Sequence, residues 1–374
     1  MKKVLVVDDS ALMRKLIMGV LGENGYEVRA ARNGAEAVQE VVQWEPDVVT
    51  LDINMPELDG LSALSLIMEA RPTPVIMVSS LTEKGALATF EALALGAVDF
   101  IPKPGGTISL KLDDIQAILL EKVRSATRAR VNRRVTPRPA PQLTPRAVPR
   151  LTARPTPRPT AQPAGVVRPP QPAAPAPSSA TSAGPAGLVV IGVSTGGPRT
   201  LEDILPNLPG NFPWPVVVAQ HMPANFTDTF ARRMDTLCAL QVVEVATAMP
   251  LTAGTIYIGR GGNDVVICER AGRLHVAPRP ESPAVLWHPS VEILVDTAMD
   301  HLPANRLVGV MLTGMGNDGA HSMTRLHGKG GRTIAESAES SVVFGMPSEL
   351  IDLGGASVVL PSSGVARQLQ RWIS

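Results

Sequence analysis

Two sets of residues in this chain have the types and spacing for chemistry. Ser194 ends the apolar run Leu188-Val189-Val190-Ile191-Gly192-Val193 and leads at once into Thr195-Gly196-Gly197-Pro198. A buried strand must therefore turn sharply with a hydroxyl at its tip, where a nucleophile belongs, and Gly192-x-Ser194-x-Gly196 fits the nucleophile-elbow pattern. A serine nucleophile needs a base and an acid that orients the base. His221 follows Val216-Val217-Val218-Ala219 and precedes Met222-Pro223, while Asp318 lies in Thr313-Gly314-Met315-Gly316-Asn317-Asp318-Gly319, directly after the apolar run Leu307 to Leu312. Three strands thus end in a serine, a histidine and an aspartate, and a parallel sheet would bring those ends to one edge. His288 and His301 flank an expected helix and His321 and His327 lie in a polar one, so surface or capping roles suit them better.

The second set is acidic. Asp8 and Asp9 follow a first short apolar strand, and Asp52 ends a third, so in a parallel sheet the three carboxylates gather at the carboxyl edge, where such sheets place ligands. Crowded acids repel one another, and a hard divalent cation relieves the repulsion. Mg²⁺ fits better than zinc, since no His or Cys is near. Ser79 ends the fourth strand and Lys103 the fifth. Together these residues can receive a phosphoryl group: Asp52 attacks phosphorus, Mg²⁺ and Lys103 neutralise charge, and Ser79 hydrogen-bonds the new oxygen.

The elements that must position these residues are legible as alternating strands and helices, an α/β pattern. In residues 1–123, strands are predicted at 3–7, 27–30, 48–51, 75–78 and 98–101, with helices such as 11–21, 35–43 and 112–126, giving a doubly wound five-stranded parallel sheet. Residues 124–186 read as a disordered Pro/Arg-rich linker in which Thr-Pro-Arg recurs at 136, 144 and 156. Residues 187–374 return to the alternation, with strands at 188–193, 216–219, 255–258, 307–312 and 357–360 and a short one at 333–335, so a second doubly wound α/β domain is expected.

The net charge of +1 conceals an asymmetry. Residues 124–187 hold eleven arginines and no Asp, Glu or Lys, which leaves −10 on the remainder. Acidic folded regions argue against a specific nucleic-acid platform. Cys238 and Cys268 are too few for a disulfide framework and read as buried free thiols. The apolar run 4–7 is too short for a signal peptide, and no segment approaches the ~20 apolar residues of a spanning helix. The chain is therefore expected to be cytoplasmic and not itself a membrane protein.

One rival reading concerns the loop of Asp318. Gly314-x-Gly316-x-x-Gly319 matches a dinucleotide fingerprint and Glu336 follows at a plausible distance for a ribose, but Asp318 inside that turn would face a pyrophosphate with like charge. A Walker-type loop is excluded at Ser194, which no Gly-Lys-Ser/Thr follows. A regulator whose second domain only binds a partner or DNA is disfavoured by the three strand-end residues and by the acidic balance.

Residues 1–123 resemble the receiver domain of two-component response regulators. The resemblance rests on Asp8, Asp9 and Asp52, on Met55-Pro56 and Asp59-Gly60, and on Lys103-Pro104. It implies that Asp52 is the phosphoacceptor, that Asp8, Asp9, Asp52 and the Asn54 carbonyl hold Mg²⁺, and that Ser79 and Phe100 form the switch pair beside Lys103. Residues 187–374 resemble the catalytic domain of chemotaxis protein-glutamate methylesterases, in the Ser194, His221 and Asp318 motifs, in Phe226-Thr227 and Phe230, and in Val342-Val343-Phe344-Gly345-Met346-Pro347.

That second resemblance implies Ser194 as nucleophile, His221 as base, Asp318 as orienting acid, and the amides of Thr195 and Met315 as oxyanion donors, with no cofactor for the esterase step. It also implies methyl-accepting chemoreceptors as substrates, with methanol released from glutamyl esters and receptor glutamines deamidated, and a chemotaxis histidine kinase as phosphodonor. The sequence departs from the family at Gly259-Arg260-Gly261-Gly262-Asn263, where Ala-Pro-Gly-Gly-His is usual, and at Glu336, where Gln is frequent. The family resemblance further implies that the unphosphorylated receiver packs over the catalytic cleft. The linker is longer than the family usually carries, and lengthening a flexible tether from ~20 to ~60 residues costs docking about 1 kcal/mol, or about fivefold. Partial autoinhibition is the expectation.

Overall fold

Continuous β-branched runs bury both strand faces, and polar residues at helix starts supply caps, so the alternation in sequence becomes layers in space. The computed structural model describes residues 1–80, 82–103, 112–129 and 185–373. Pro104 and most of the Pro/Arg-rich stretch, including its three Thr-Pro-Arg segments, lie outside the described residues.

The first region runs β1 (Lys3–Val7), α1 (Ala11–Glu23), β2 (Glu27–Ala31), α2 (Gly34–Trp44), β3 (Val48–Asp52), α3 (Gly60–Ala70), β4 (Val75–Ser79), α4 (Glu83–Leu95), β5 (Asp99–Pro102) and α5 (Leu112–Ala126). Its strands form a five-stranded parallel sheet in the order β2-β1-β3-β4-β5. Side-chain caps start four of its helices, at Ser10, Asn33, Asp59 and Thr82, each oxygen accepting from the amide three residues on.

The second region continues with β6 (Leu188–Val193), α6 (Gly197–Ile204), β7 (Val216–Gln220), α7 (Ala224–Leu237), β8 (Gln241–Val245), β9 (Met249–Pro250), β10 (Thr255–Gly259), β11 (Asn263–Arg270), β12 (Arg273–Pro280) and α8 (Val291–His301). It closes with β13 (Leu307–Met311), α9 (Ala320–Gly328), β14 (Arg332–Glu336), α10 (Met346–Asp352), β15 (Val358–Leu360) and α11 (Ser362–Trp372). A seven-stranded parallel sheet has the order β15-β14-β13-β6-β7-β10-β8, and β11, β12 and β9 make a separate antiparallel sheet. The chain enters at the centre on β6, builds one half outward through β7, then crosses to β13 and builds the other. The carboxyl end of β6 is therefore a topological switch point, the place where open α/β sheets leave a crevice.

Both regions belong to one compact unit. Between them lies an aromatic seam. Phe100 of β5 packs on Phe226 of α7 with ring centroids 4.3 Å apart, and Phe90 of α4 meets Phe226 at 6.4 Å and Phe230 at 5.4 Å. All four rings are buried. Among the described residues no helix is long and apolar enough to cross a membrane. Both cysteines are free, as expected, but half-buried; burial, with Asp235 adding to it, pushes the Cys238 thiol up to about 12.

Candidate active site and phosphoacceptor pocket

Ser194 leaves β6 at the switch point, and the turn into α6 depends on Gly196, whose φ of 80° lies in the left-handed region that a side chain disfavours. The neighbouring strand ends are tied to this turn. The Ser194 amide donates to the Thr313 carbonyl at 2.9 Å, the His221 amide to the Val193 carbonyl at 3.1 Å, and the Thr313 hydroxyl to the Thr195 carbonyl at 2.9 Å. Gln220 Nε2 donates to the carbonyls of both Ser194 and His221, at 3.0 and 3.1 Å. Strands β6, β7 and β13 thus bring the serine, histidine and aspartate of the sequence to one edge.

Their geometry has a definite sense. His221 Nε2 lies 2.9 Å from Asp318 Oδ2, so the proton on Nε2 is donated to the carboxylate. His221 Nδ1 is buried and has no hydrogen-bond partner among the described residues, so the lone pair falls on that nitrogen. Asp318 also accepts from the Ser290 hydroxyl at 3.0 Å, the Val291 amide at 2.7 Å and the Glu292 amide at 3.1 Å. The last two amides open α8, so the carboxylate caps a helix and lies at the positive end of its dipole. Burial alone would push the Asp318 carboxyl up, but the bonds from His221 and the two amides hold it below the usual carboxylate range.

The amides of Thr195 and Met315 donate to no acceptor among the described residues. A cavity of about 650 Å³ opens beside Met315, Gly316 and Asn317 and is walled further by Val343, Phe344 and Arg128. Glu336 does not face that cavity as a ribose ligand would. It is fully buried, accepts the Thr313 amide at 2.7 Å and the Ser340 hydroxyl at 2.8 Å, and so braces the loop that carries Asp318. Burial pushes its carboxyl up, against the pull of those two donors.

At the other sheet edge Asp8 and Asp52 are almost fully buried and Asp9 is exposed, and one oxygen from each lies within 4.8 Å of the others. Lys103 Nζ sits 2.7 Å from Asp52 Oδ2 and 3.1 Å from Asp8 Oδ2. Those same two oxygens accept no well-aligned hydrogen bond, and such orphaned hard oxygens in an all-carboxylate set suit Mg²⁺. Asn54 lies beside them, its amide donating to Asp52 Oδ1 at 3.3 Å. Burial pushes the Asp52 carboxyl up, against Lys103 and with help from Asp8. Ser79 ends β4 as predicted, but its hydroxyl is spent on the Gly85 carbonyl at 3.2 Å.

Several participants have no sequence signal of their own. Asp99, the first residue of β5, accepts from Lys122 Nζ at 2.7 Å and, through its other oxygen, from the Thr195 hydroxyl at 2.7 Å, linking the first region to the residue after Ser194. His288, assigned above to an ordinary surface or capping role, meets the fully buried Asp264 at 2.9 Å. Trp287 stacks on His221. Ser290 alone was findable, as a serine ahead of an expected helix.

Both regions of the chain are similar to known proteins. The CheB methylesterase family matches residues 189–369 and the response regulator receiver domain residues 4–112. A Rhodospirillum rubrum protein named protein-glutamate methylesterase/protein-glutamine glutaminase 3 is 52% identical over 375 residues, covering 100% of this chain and 97% of its own. A Rhodopseudomonas palustris protein named protein-glutamate methylesterase/protein-glutamine glutaminase 2 is 49% identical over 373 residues, covering 100% and 98%. The crystal structure of the Thermotoga maritima CheB methylesterase catalytic domain aligns at 38% identity and a TM-score of 0.48, over 50% of this chain and 97% of that one. The chain belongs to the CheB methylesterase family, with a response regulator receiver domain ahead of its methylesterase domain.

Proposed function

We propose that this protein is a phosphorylation-controlled serine esterase of bacterial chemotaxis, which hydrolyses glutamate methyl esters on methyl-accepting chemoreceptors and deamidates receptor glutamines. The observation that carries this reading is the 2.9 Å bond from His221 Nε2 to Asp318, with Nδ1 left free beside the strand end that bears Ser194. Ser194 Oγ attacks the ester carbonyl carbon and its proton passes to His221 Nδ1. Asp318, kept anionic by its amide donors, stabilises the imidazolium. The Thr195 and Met315 amides receive the oxyanion. The imidazolium then protonates the departing methoxide, methanol leaves, and water attacks the acyl-enzyme by the same route in reverse. A glutamine side chain follows the same path with ammonia as leaving group.

Control is assigned to residues 1–123, ahead of a linker at 124–186 and a catalytic domain at 187–374. Asp52 accepts a phosphoryl group from a chemotaxis histidine kinase, and Asp8, Asp9, Asp52 and Asn54 would hold Mg²⁺, whose charge would offset that of the phosphoryl oxygens. Lys103 adds a second positive charge. Ser79 would have to leave Gly85 to bond the new oxygen, and that movement reaches Phe100, which is packed on Phe226. Loosening that seam also draws Asp99 from Thr195. The reaction takes place in the cytoplasm, and a long linker makes the resting inhibition partial.

The test is methanol release from methylated receptors of the same cell, with and without a small-molecule phosphodonor and Mg²⁺. Ser194→Ala should lower the rate by about 10⁵-fold or more. Methanol release that survives this change would sink the assignment.

A further inference from the structure

We infer that Trp287 is a positioning residue for the His221 base and that the receiver holds it through Glu121, an inference that rests on the function proposed above. The Asp318 bond fixes one atom of the imidazole and leaves the ring free to tilt about that bond. A flat surface against the ring face removes this freedom. The Trp287 indole provides one, with ring centroids 5.9 Å apart and planes within 7° of parallel, an offset stack. The same indole lies on the loop between Met315 and Asp318, since a side chain at Gly316 would meet Trp287 Cζ2 at 2.9 Å. Base and oxyanion loop are therefore set against a single aromatic plane.

The segment that carries this plane is itself anchored. Asp264 accepts the Ser282 amide at 3.1 Å, His288 Nδ1 at 2.9 Å and the Ser290 amide at 3.1 Å, so one buried carboxylate holds the loop on both sides of Trp287. Leu286, next to it, is 84% exposed, so the indole turns inward while its neighbour faces water. The edge of the indole then reaches the receiver, Nε1 donating to Glu121 Oε1 on α5 at 3.1 Å. The face and the N–H thus do separable work: the face orients the base, and the N–H reports where the receiver is.

Trp287→Leu keeps apolar bulk without a plane, whereas Trp287→Phe keeps a plane without the N–H. In the phosphorylated full chain, Trp287→Leu should lower kcat about tenfold with KM changed less than about twofold, and Trp287→Phe should keep kcat within about twofold of the parent. Equal kcat values for the two variants, or a loss confined to KM, would overturn the positioning role. Tryptophan emission is the second readout and needs no ester. Adding phosphodonor and Mg²⁺ to the full chain should shift the emission, and the shift should disappear in Trp287→Phe. A shift that persists in that variant would overturn the tie to Glu121. If the parent chain released no methanol while its emission shift followed Trp287, the proposed reaction would fail and the tie would stand.

Discussion

The two sheet edges of this molecule follow one topological rule and hold aspartates of opposite character. Asp52 is the last residue of the parallel strand β3, Asp318 lies in the loop that follows β13, and both are buried. Asp318 accepts four hydrogen bonds, two of them from the opening amides of α8, and is held low. Asp52 accepts one amide on Oδ1, keeps an orphaned oxygen beside Lys103, and is pushed up. A carboxylate that orients a base must be saturated and immobile. One that forms a bond to phosphorus must keep an uncommitted oxygen. In the function proposed above, topology chooses the place and the number of donors chooses the chemistry.

The contrast breaks most readily at Asp318. Asp318→Asn should keep the fold and lower esterase kcat about 10⁴-fold, because the amide cannot hold the imidazole tautomer with its proton on Nε2. Because the Asp318 carboxyl is held low in the folded chain, its contribution to stability is complete above the ordinary carboxyl pKa and disappears as pH falls through the lowered one. The stability gap between parent and Asp318→Asn in urea titrations should therefore close in acid.

The link between the edges should yield a smaller effect. Asp99→Ala removes the acceptor of the Thr195 hydroxyl and strands Lys122, at the contact where the receiver reaches the residue after Ser194. Resting activity of the full chain should rise about tenfold, the equivalent of one lost charged hydrogen bond, while activity with phosphodonor stays level. An unchanged resting rate would mean that this bond does not hold the receiver down.

The smallest expected effect sharpens the role of burial. Glu336, like Asp52, is pushed up by burial, but it accepts the Thr313 amide and the Ser340 hydroxyl and has a bracing role. A carboxyl raised on folding contributes stability below the ordinary glutamate pKa and loses it as pH rises through the raised value. Glu336→Gln should therefore stabilise the chain against urea more at pH 8 than at pH 5. A pH-independent difference would show that the carboxylate is fully compensated where it lies.

The strand ends are legible because Asp52, Ser79, Ser194 and His221 close or follow apolar runs. Lys3–Val7, Leu188–Val193 and the helix Leu112–Ala126 fall where their patterns predicted. The antiparallel pair β11 and β12 is not among the predicted strands, although Ala271 and Gly272, both at positive φ, form the two-residue turn that such hairpins favour. Strand β11 carries Asp264, which anchors the Trp287 loop. Strand β8, at a sheet edge and with three of its five residues exposed or partly exposed, lacks the continuous apolar run of its neighbours. Asp99 beside Thr195, Trp287 on His221 and Asp318 at the head of α8 join residues far apart in the chain. No local pattern encodes them, because the packing of finished elements creates them.

The seam of Phe90, Phe100, Phe226 and Phe230 has a thermodynamic consequence. Separating the two regions would hydrate four aromatic rings, and newly wetted apolar surface raises heat capacity. The hydrophobic part of the closing force therefore weakens on cooling. Under the control proposed above, the ratio of resting to phosphorylated activity should then depend on temperature through these rings, and be larger in the cold.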